Sequence, residues 1–178
     1  MKKLIIGALV GAIILFIWQF MSWAALNLHG NSTQYTSKQD TILSFLSTQL
    51  EPGFYFLPTT APEASTEDHN KFVESASGKP WAQVYYHASF ETSMSGNMIR
   101  GFVTDIVIVF LLCWLLLQVK VRSFKDTLLI TIAIGLIGYL AGTYSDHIWF
   151  ETPSMAHLID AIVGFGLVGS WLGWYLKN

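Results

Sequence analysis

GFVTDIVIVFLLCWLLLQV, residues Gly101–Val119, holds a single charged residue, Asp105, in an otherwise apolar run. Roughly 20 such residues cross a bilayer as an α-helix. Three further runs qualify or nearly qualify as spans: Leu4–Leu26, Thr127–Tyr144 and Met155–Leu176. Only 12% of the 178 residues are charged, whereas soluble domains carry about 25%. The sequence therefore predicts an all-α membrane protein built as a bundle of four transmembrane helices.

Composition and cysteine content exclude several other classes of protein. The net charge of −2 gives no overall field that would attract a nucleic acid. Cys113 is the only cysteine, so the chain has neither an internal disulfide nor a cysteine-based zinc cage. The sequence motifs of serine hydrolases, phosphate-binding loops and zinc proteases are missing. We therefore expect the lipid bilayer as a partner, no nucleic acid and no cofactor.

The positive charges beside the four runs predict how they are oriented. Lysine and arginine gather in cytoplasmic loops, and six of them share one side if both termini are cytoplasmic: Lys2, Lys3, Lys120, Arg122, Lys125 and Lys177. The first run is longer than the apolar core of a signal peptide, so we interpret it as an uncleaved anchor. The sequence thus predicts a multi-pass protein of the bacterial inner (cytoplasmic) membrane. Residues 1–29 form the first span, residues 30–98 a periplasmic insertion, and residues 99–178 the other three spans.

The insertion has the pattern of a small α+β cap, placed between the first and second spans. Ser37–Asp40 matches a capping box ahead of apolar residues at helical spacing, which predicts a helix near residues 38–50. Phe54–Leu57 and Trp81–Ser89 have the composition of strands, and Glu67–Ser75 that of a short helix. We expect a sheet of two or three strands in this extracytoplasmic cap.

Three scattered features carry a resemblance to other proteins. They are Ser22-Trp23 followed by His29, the segment Gly53-Phe54-Tyr55-Phe56-Leu57-Pro58, and Asp160 early in the last run. In these features the chain resembles a family of small bacterial four-helix inner-membrane proteins with no assigned activity. The resemblance implies a four-span membrane topology and implies no activity.

Glycines four residues apart predict close helix contacts, because small residues let helix backbones approach each other in a membrane. The pairs are Gly7 with Gly11, Gly138 with Gly142 and Gly169 with Gly173, and the stripes extend through Gly135 and Gly166. At about 100° per residue, Gly169 and Gly173 lie nearly opposite Asp160 on the fourth helix. We therefore predict that Gly138 and Gly142 pack inside the bundle. Gly169 and Gly173 either pack within the same bundle or dock onto a membrane-protein partner or a second copy, and the two contact faces of this helix favour docking.

Titratable residues gather at the predicted outer end of the spans. Asp160 lies about 10 Å along the fourth helix and Asp105 a comparable distance along the second, so both should have similar depth. Other members of this predicted cluster are His29, Arg100, His147, Glu151 and His157. Either the acids are structural and pair with Arg100 or a cap backbone group, or the cluster is a site for a metal, quinone, proton or small ligand. The spacing of His147, His157 and Asp160 matches no metalloenzyme signature, so we predict no metal.

Two functions of different classes follow from these features. The first is a non-enzymatic accessory or assembly subunit whose helices dock a larger membrane complex. The alternative is a small-ligand, ion or proton-handling membrane protein that uses the outer Asp/His cluster. An intramembrane enzyme with its site in that cluster is a third hypothesis. Stoichiometric co-purifying proteins would favour the first function, and a bound metal, quinone or lipid headgroup the second.

Overall fold

The computed structural model describes residues 1–119 and 123–177, so Lys120, Arg122 and Asn178 lie outside the described residues. The described chain is mostly helical and has a small two-stranded sheet. The helices are α1 (Lys2–Phe20), α2 (Gln39–Gln49), α3 (Thr66–Ala76), α4 (Ser95–Gln118), α5 (Phe124–Tyr139), α6 (Ser145–Phe150) and α7 (Met155–Tyr175), and the strands are β1 (Gly53–Leu57) and β2 (Ala82–Tyr86). The chain divides into two compact units, Met1–Gln34 with Ser93–Asn178, and Tyr35–Thr92.

Four helices are long and apolar enough to cross a membrane, which confirms the predicted number of such helices. Helices α1 and α5 each continue into a π-helical turn, at Met21–Ala25 and Leu140–Tyr144. With these turns and α6 included, the four candidate spans are Lys2–Ala25, Ser95–Gln118, Phe124–Phe150 and Met155–Tyr175. The second span begins six residues earlier than predicted, so Arg100 lies within α4 rather than ahead of it.

Neighbouring long helices run antiparallel and pack in the order α4, α1, α7, α5. Gly7 lies beside Cys113 and Gln19 bonds to Asp105, so residue numbers fall along α4 as they rise along α1. The same inverse numbering relates α7 to α1 and α5 to α7. One end of the bundle therefore carries four lysines, Lys2, Lys3, Lys125 and Lys177. We call the opposite end, toward which Asp105 and Asp160 lie, the polar end.

The core lies where α1 packs between α4 and α7. Helix α1 presents buried small residues to its neighbours, among them Gly7, Gly11, Ala8 and Ala12. Large buried side chains fill the space between the helices: Val109, Leu112, Leu116, Val168 and Leu172. The close approach also lets Trp171 Nε1 donate a hydrogen bond to the Gly7 carbonyl, at 3.1 Å. Packing of α1 against both neighbours thus depends on its small residues.

The faces predicted for two glycine pairs are wrong. A Cβ added at Gly169 or Gly173 would lie 2.9 Å from a side-chain atom of α5, so both glycines pack inside the chain. A Cβ at Gly138 or Gly142 would meet no atom within 4 Å among the described residues. Helix α7 is contacted on two sides, as predicted, but α1 and α5 cover those sides. The periodicity of a helix can show that it has a second contact face. It does not show whether a helix of the same chain or a partner chain covers that face.

Three of the remaining predicted glycines pack closely within the bundle. A Cβ at Gly11 would lie 2.6 Å from Val109, one at Gly7 would lie 3.2 Å from Cys113, and one at Gly135 would lie 2.8 Å from the Ala161 carbonyl oxygen. A Cβ at Gly166 would make an ordinary van der Waals contact, 3.8 Å from the Ile132 side chain. The close contact of α5 with α7 therefore rests on Gly135 instead of Gly138.

The unit Tyr35–Thr92 contains two helices and one antiparallel strand pair, with Gly53 opposite Tyr86 and Leu57 opposite Ala82. Helices α2 and α3 lie where they are predicted, whereas β2 is shorter than predicted. The capping box predicted at Ser37–Asp40 is wrong, because α2 begins after Lys38, which makes no side-chain cap. A capping box is instead present at α3, where Ser65 and Asp68 exchange side-chain-to-backbone hydrogen bonds. The described residues of this unit add no third strand.

Candidate polar site at the end of the bundle

Asp160 is the centre of the polar site. It lies on α7, and both of its carboxylate oxygens have partners from the first part of the chain. Oδ2 lies 2.7 Å from His29 Nε2, and Oδ1 accepts a hydrogen bond of 3.1 Å from Trp18 Nε1. Asp160 is therefore paired, as the structural alternative requires, but with residues that the sequence analysis did not choose as its partners.

His29 reaches Asp160 because the chain turns back after α1. Asn27 has a φ of 49°, a left-handed conformation that asparagine adopts more readily than most residues. The His29 ring stacks on Trp23, with a centroid distance of 3.9 Å and an interplanar angle of 3°. As a result only 4% of His29 is exposed. Its Nδ1 atom is buried and has no hydrogen-bond partner among the described residues.

His157 completes a group of three possible metal ligands. It precedes Asp160 by one helical turn on α7, and its ring centroid lies 4.7 Å from that of His29. One ligand atom from each of His29, His157 and Asp160 lies within 4.8 Å of the other two. Two imidazoles and one carboxylate form a ligand set typical of zinc and non-haem iron sites. The three side chains can therefore coordinate a divalent metal ion if the site contracts slightly.

Asp105 makes a second polar contact on another side of α1. It is 2% exposed, and its Oδ1 accepts a hydrogen bond of 2.9 Å from Gln19 Nε2. Its Oδ2 is buried without a hydrogen-bond partner among the described residues. Because Trp18 and Gln19 are consecutive in α1, Asp160 and Asp105 lie at the same level of the bundle, as predicted.

The predicted pairing of Arg100 with either acid is wrong. Arg100 is exposed on α4, and no ion pair or hydrogen bond among the described residues joins its side chain to Asp105 or Asp160. Arg100 precedes Asp105 by five positions, which places their side chains about 140° apart around a helix. The early start of α4 therefore turns Arg100 away from the side that Asp105 presents to α1.

His147 and Glu151 lie outside the group of three possible metal ligands. His147 is exposed on α6, and its Nδ1 donates a 2.7 Å hydrogen bond to the Thr152 carbonyl. Glu151 is exposed and ends α6 with a φ of 54°. Of the seven predicted cluster residues, His29, His157 and Asp160 lie close together. Asp105 lies at the same level of the bundle, on another side of α1.

Two cavities adjoin the polar site, and His157, Asp160 and Gln19 line both. The larger cavity has a volume of about 690 Å³, and its other walls are mostly apolar: Phe16, Phe20, Trp23, Ala24, Met94 and Met98. The smaller cavity has a volume of about 230 Å³ and lies toward α5, where Tyr139 and Thr143 line it. The polar site therefore borders a cavity on each of two sides.

Trp18 and Gln19 also belong to this site and were not among the residues predicted from the sequence. Both lie in the first apolar run, and Gln19 is one of its two polar residues. A polar side chain within a spanning helix usually faces another helix, so Gln19 was the signal that could have identified this face. Trp18 carries no such signal, because tryptophan is also common at the membrane interface.

Comparison of the chain with known protein families, with curated proteins and with solved structures finds no significant match. The resemblance to small bacterial inner-membrane proteins stays a prediction. The function must therefore be argued from the polar site alone.

Proposed function

We propose that this chain is a multi-pass membrane protein that binds a divalent transition-metal ion through His29, His157 and Asp160. The proposal rests on the three ligand atoms that lie within 4.8 Å of one another. The proposal takes up the ion-handling alternative and departs from the prediction of no metal, which rested on the spacing of His147, His157 and Asp160 and did not consider His29 as a ligand.

The geometry of the group is compatible with such an ion. Zinc ligands lie at about 2.0–2.1 Å from the metal, which keeps tetrahedral ligand atoms roughly 3.3 Å apart. His29 Nε2 and Asp160 Oδ2 are already closer than that, at 2.7 Å, so the ion would move them slightly apart while drawing His157 inward. The hydrogen bond from Trp18 to the other carboxylate oxygen would orient Asp160, as outer-shell partners of metal ligands commonly do.

Insertion into a membrane is supported by the apolar outer surface of the bundle. Only 22–28% of the residues in each apolar window are buried within the chain. Exposed side chains include Ile5, Ile13 and Ile17 of α1 and Val103 and Val107 of α4. Soluble proteins rarely expose apolar patches of this extent. We propose that the protein resides in the inner membrane of a bacterium, with both termini cytoplasmic and residues 30–98 periplasmic. The reason is that Lys2, Lys3, Lys125 and Lys177 lie at the same end of the bundle as the two termini.

Docking onto a larger membrane complex stays a prediction. That prediction assumed that the face of α7 with Gly169 and Gly173 is free to bind a partner, whereas α5 covers this face. The metal-binding function does not depend on such a partner.

A topology test addresses the membrane orientation. A reporter fused after Asn178 should be cytoplasmic, and the same reporter inserted in the Thr59–Thr66 loop should be periplasmic. Paired alkaline phosphatase and fluorescent-protein fusions measure the two sides independently. If both positions report the same side, the four-span arrangement is wrong.

Metal binding can be tested on the purified protein in lipid nanodiscs. We expect about one Zn²⁺ or Co²⁺ per chain, and we expect His157→Phe to weaken binding by at least about tenfold, because the loss of an outer-shell partner alone typically costs about 10–100-fold. The phenylalanine ring keeps the contact with His29, so the fold should be retained. His87→Ala, in the exposed end of the other unit, is the matched control. Equal affinities of His157→Phe, His87→Ala and the parent would contradict the proposed site.

A further inference from the structure

We infer that the metal ion proposed above leaves one coordination position open toward the larger cavity, and that an amphiphile with an anionic oxygen head fills it. The inference rests on the proposed function and adds the chemical class of the second ligand. The amphiphile's head would bind the metal, and its apolar tail would lie along Phe16, Phe20 and Met98.

The number of protein ligands leaves a position open. Structural zinc sites are closed by four protein ligands, whereas sites that bind an exchangeable ligand have three. Among the described residues, the group that could hold a metal contains only His29, His157 and Asp160. A tetrahedral ion held by these three side chains would have room for one external ligand, and it could expand to five-coordinate for a head group that binds through two oxygens, as open zinc sites do.

The burial of the three ligands limits the directions in which that position can point. His29 is buried and covered by the stacked Trp23 ring, so it closes one side of the site. His157 and Asp160 line the larger cavity. An ion bound to them therefore lies at the wall of this cavity, and a ligand that enters the cavity can reach it.

Size distinguishes the larger cavity from the smaller one. Pockets that bind small molecules have volumes of about 300–1,000 Å³. The larger cavity, at about 690 Å³, lies within this range, and the smaller one, at about 230 Å³, lies below it. The smaller cavity suits ordered water, which needs polar partners; Tyr139 and Thr143 supply them.

The walls of the larger cavity define the chemistry of its occupant. Polar atoms come from Gln19, His157 and Asp160, and the remaining lining is aromatic, methionine or alanine. A divalent ion that has one carboxylate ligand keeps a net positive charge, which favours an anionic head group. Phe20, Trp23 and Met94 are also exposed on the outside of the bundle. In a bilayer this arrangement would let the tail enter from the lipid.

The test uses the Co²⁺-loaded protein and two hydroxamic acids that share one head group. The visible absorption of Co²⁺ reports a new ligand directly. Acetohydroxamate has almost no tail, and decanohydroxamate has a long one. We expect both compounds to change the Co²⁺ spectrum and the long one to bind at least tenfold more tightly. If neither compound changes the spectrum, the open position is wrong.

A pair of variants separates binding in the cavity from simple partitioning of the long compound into the bilayer. Ala24 lines the larger cavity, whereas its neighbour Ala25 does not. Ala24→Trp should abolish the tenfold preference for decanohydroxamate and leave acetohydroxamate binding unchanged. Ala25→Trp should behave like the parent. If Ala24→Trp keeps the preference, or weakens both compounds equally, the amphiphile inference is overturned. Failure to bind Co²⁺ in the parent would instead contradict the proposed metal site.

Discussion

Gly135→Leu should destabilise the bundle by about 3 kcal/mol or more, whereas Gly138→Leu in the same helix should change its stability by less than about 1 kcal/mol. A Cβ at Gly135 would lie 2.8 Å from the Ala161 carbonyl oxygen and 2.6 Å from the Phe165 ring. The carbonyl belongs to the backbone of α7 and cannot rotate away, so α5 and α7 must separate. At Gly138 a Cβ meets no described atom within 4 Å. Leucine there also gains helix propensity over glycine.

Unfolding in mixed detergent micelles, followed by tryptophan fluorescence, measures both free energies. Gly169→Leu provides a second test, since its Cβ would lie 2.9 Å from Thr131, and it should resemble Gly135→Leu. If Gly138→Leu is the most damaging of the three variants, the packing of α5 against α7 described here is wrong. Loss of self-association in Gly138→Leu without loss of stability would instead assign Gly138 to a contact between chains.

Asp160→Ala should lower the free energy of unfolding by about 3 kcal/mol, measured with a chelator present so that no metal contributes. The change removes the hydrogen bonds of Asp160 to both Trp18 and His29. His29 is buried, and a buried polar group left without a partner costs about 1–3 kcal/mol. Asp146→Ala, an exposed acid on α6, is the control and should lie within about 0.5 kcal/mol of the parent.

A double-mutant cycle tests whether Asp160 and His29 stabilise the bundle as a pair. His29→Phe keeps a ring that can stack on Trp23 and removes the nitrogen that contacts Asp160. We expect the double variant to be more stable than the sum of the two single effects predicts, by at least about 1 kcal/mol, because neighbouring residues of one network are coupled. Additive effects would show that the 2.7 Å contact contributes nothing to stability.

The sequence predicted the elements of this fold better than their contacts. Apolar runs fixed the number of long helices, because a helix of about 20 residues without charges has few alternatives. The matching level of Asp105 and Asp160 followed from simple counting along helices. Counting residues along the chain does not show which helices contact each other. Gly138 and Gly169 have similar surroundings in the sequence, yet of these two only Gly169 lies where an added Cβ would meet a neighbouring helix.

The polar site could be predicted only in part, for a related reason. Asp160 and His157 are recognisable as unusual residues within an apolar run. One partner of Asp160, His29, is 131 residues away, in a turn that follows α1. Local spacing rules for metal ligands cannot find a set that is assembled from both ends of the chain. Arg100 was the charged residue predicted to pair with these acids. Because α4 begins earlier than predicted, the Arg100 side chain is turned away from the side of α4 that carries Asp105.

The position of α1 between α4 and α7 has a consequence for how the protein is made. Synthesis proceeds from the N-terminus, so α1 leaves the ribosome before α4, α5 and α7. Trp18 and the buried His29 find their acceptor on α7. Until α7 has been translated, α1 has its α4 contacts, including Gln19 with Asp105, but not those with Asp160. A helix that is made earlier therefore depends on one that is made later, and a ribosome that stops before α7 leaves the polar end of α1 incomplete.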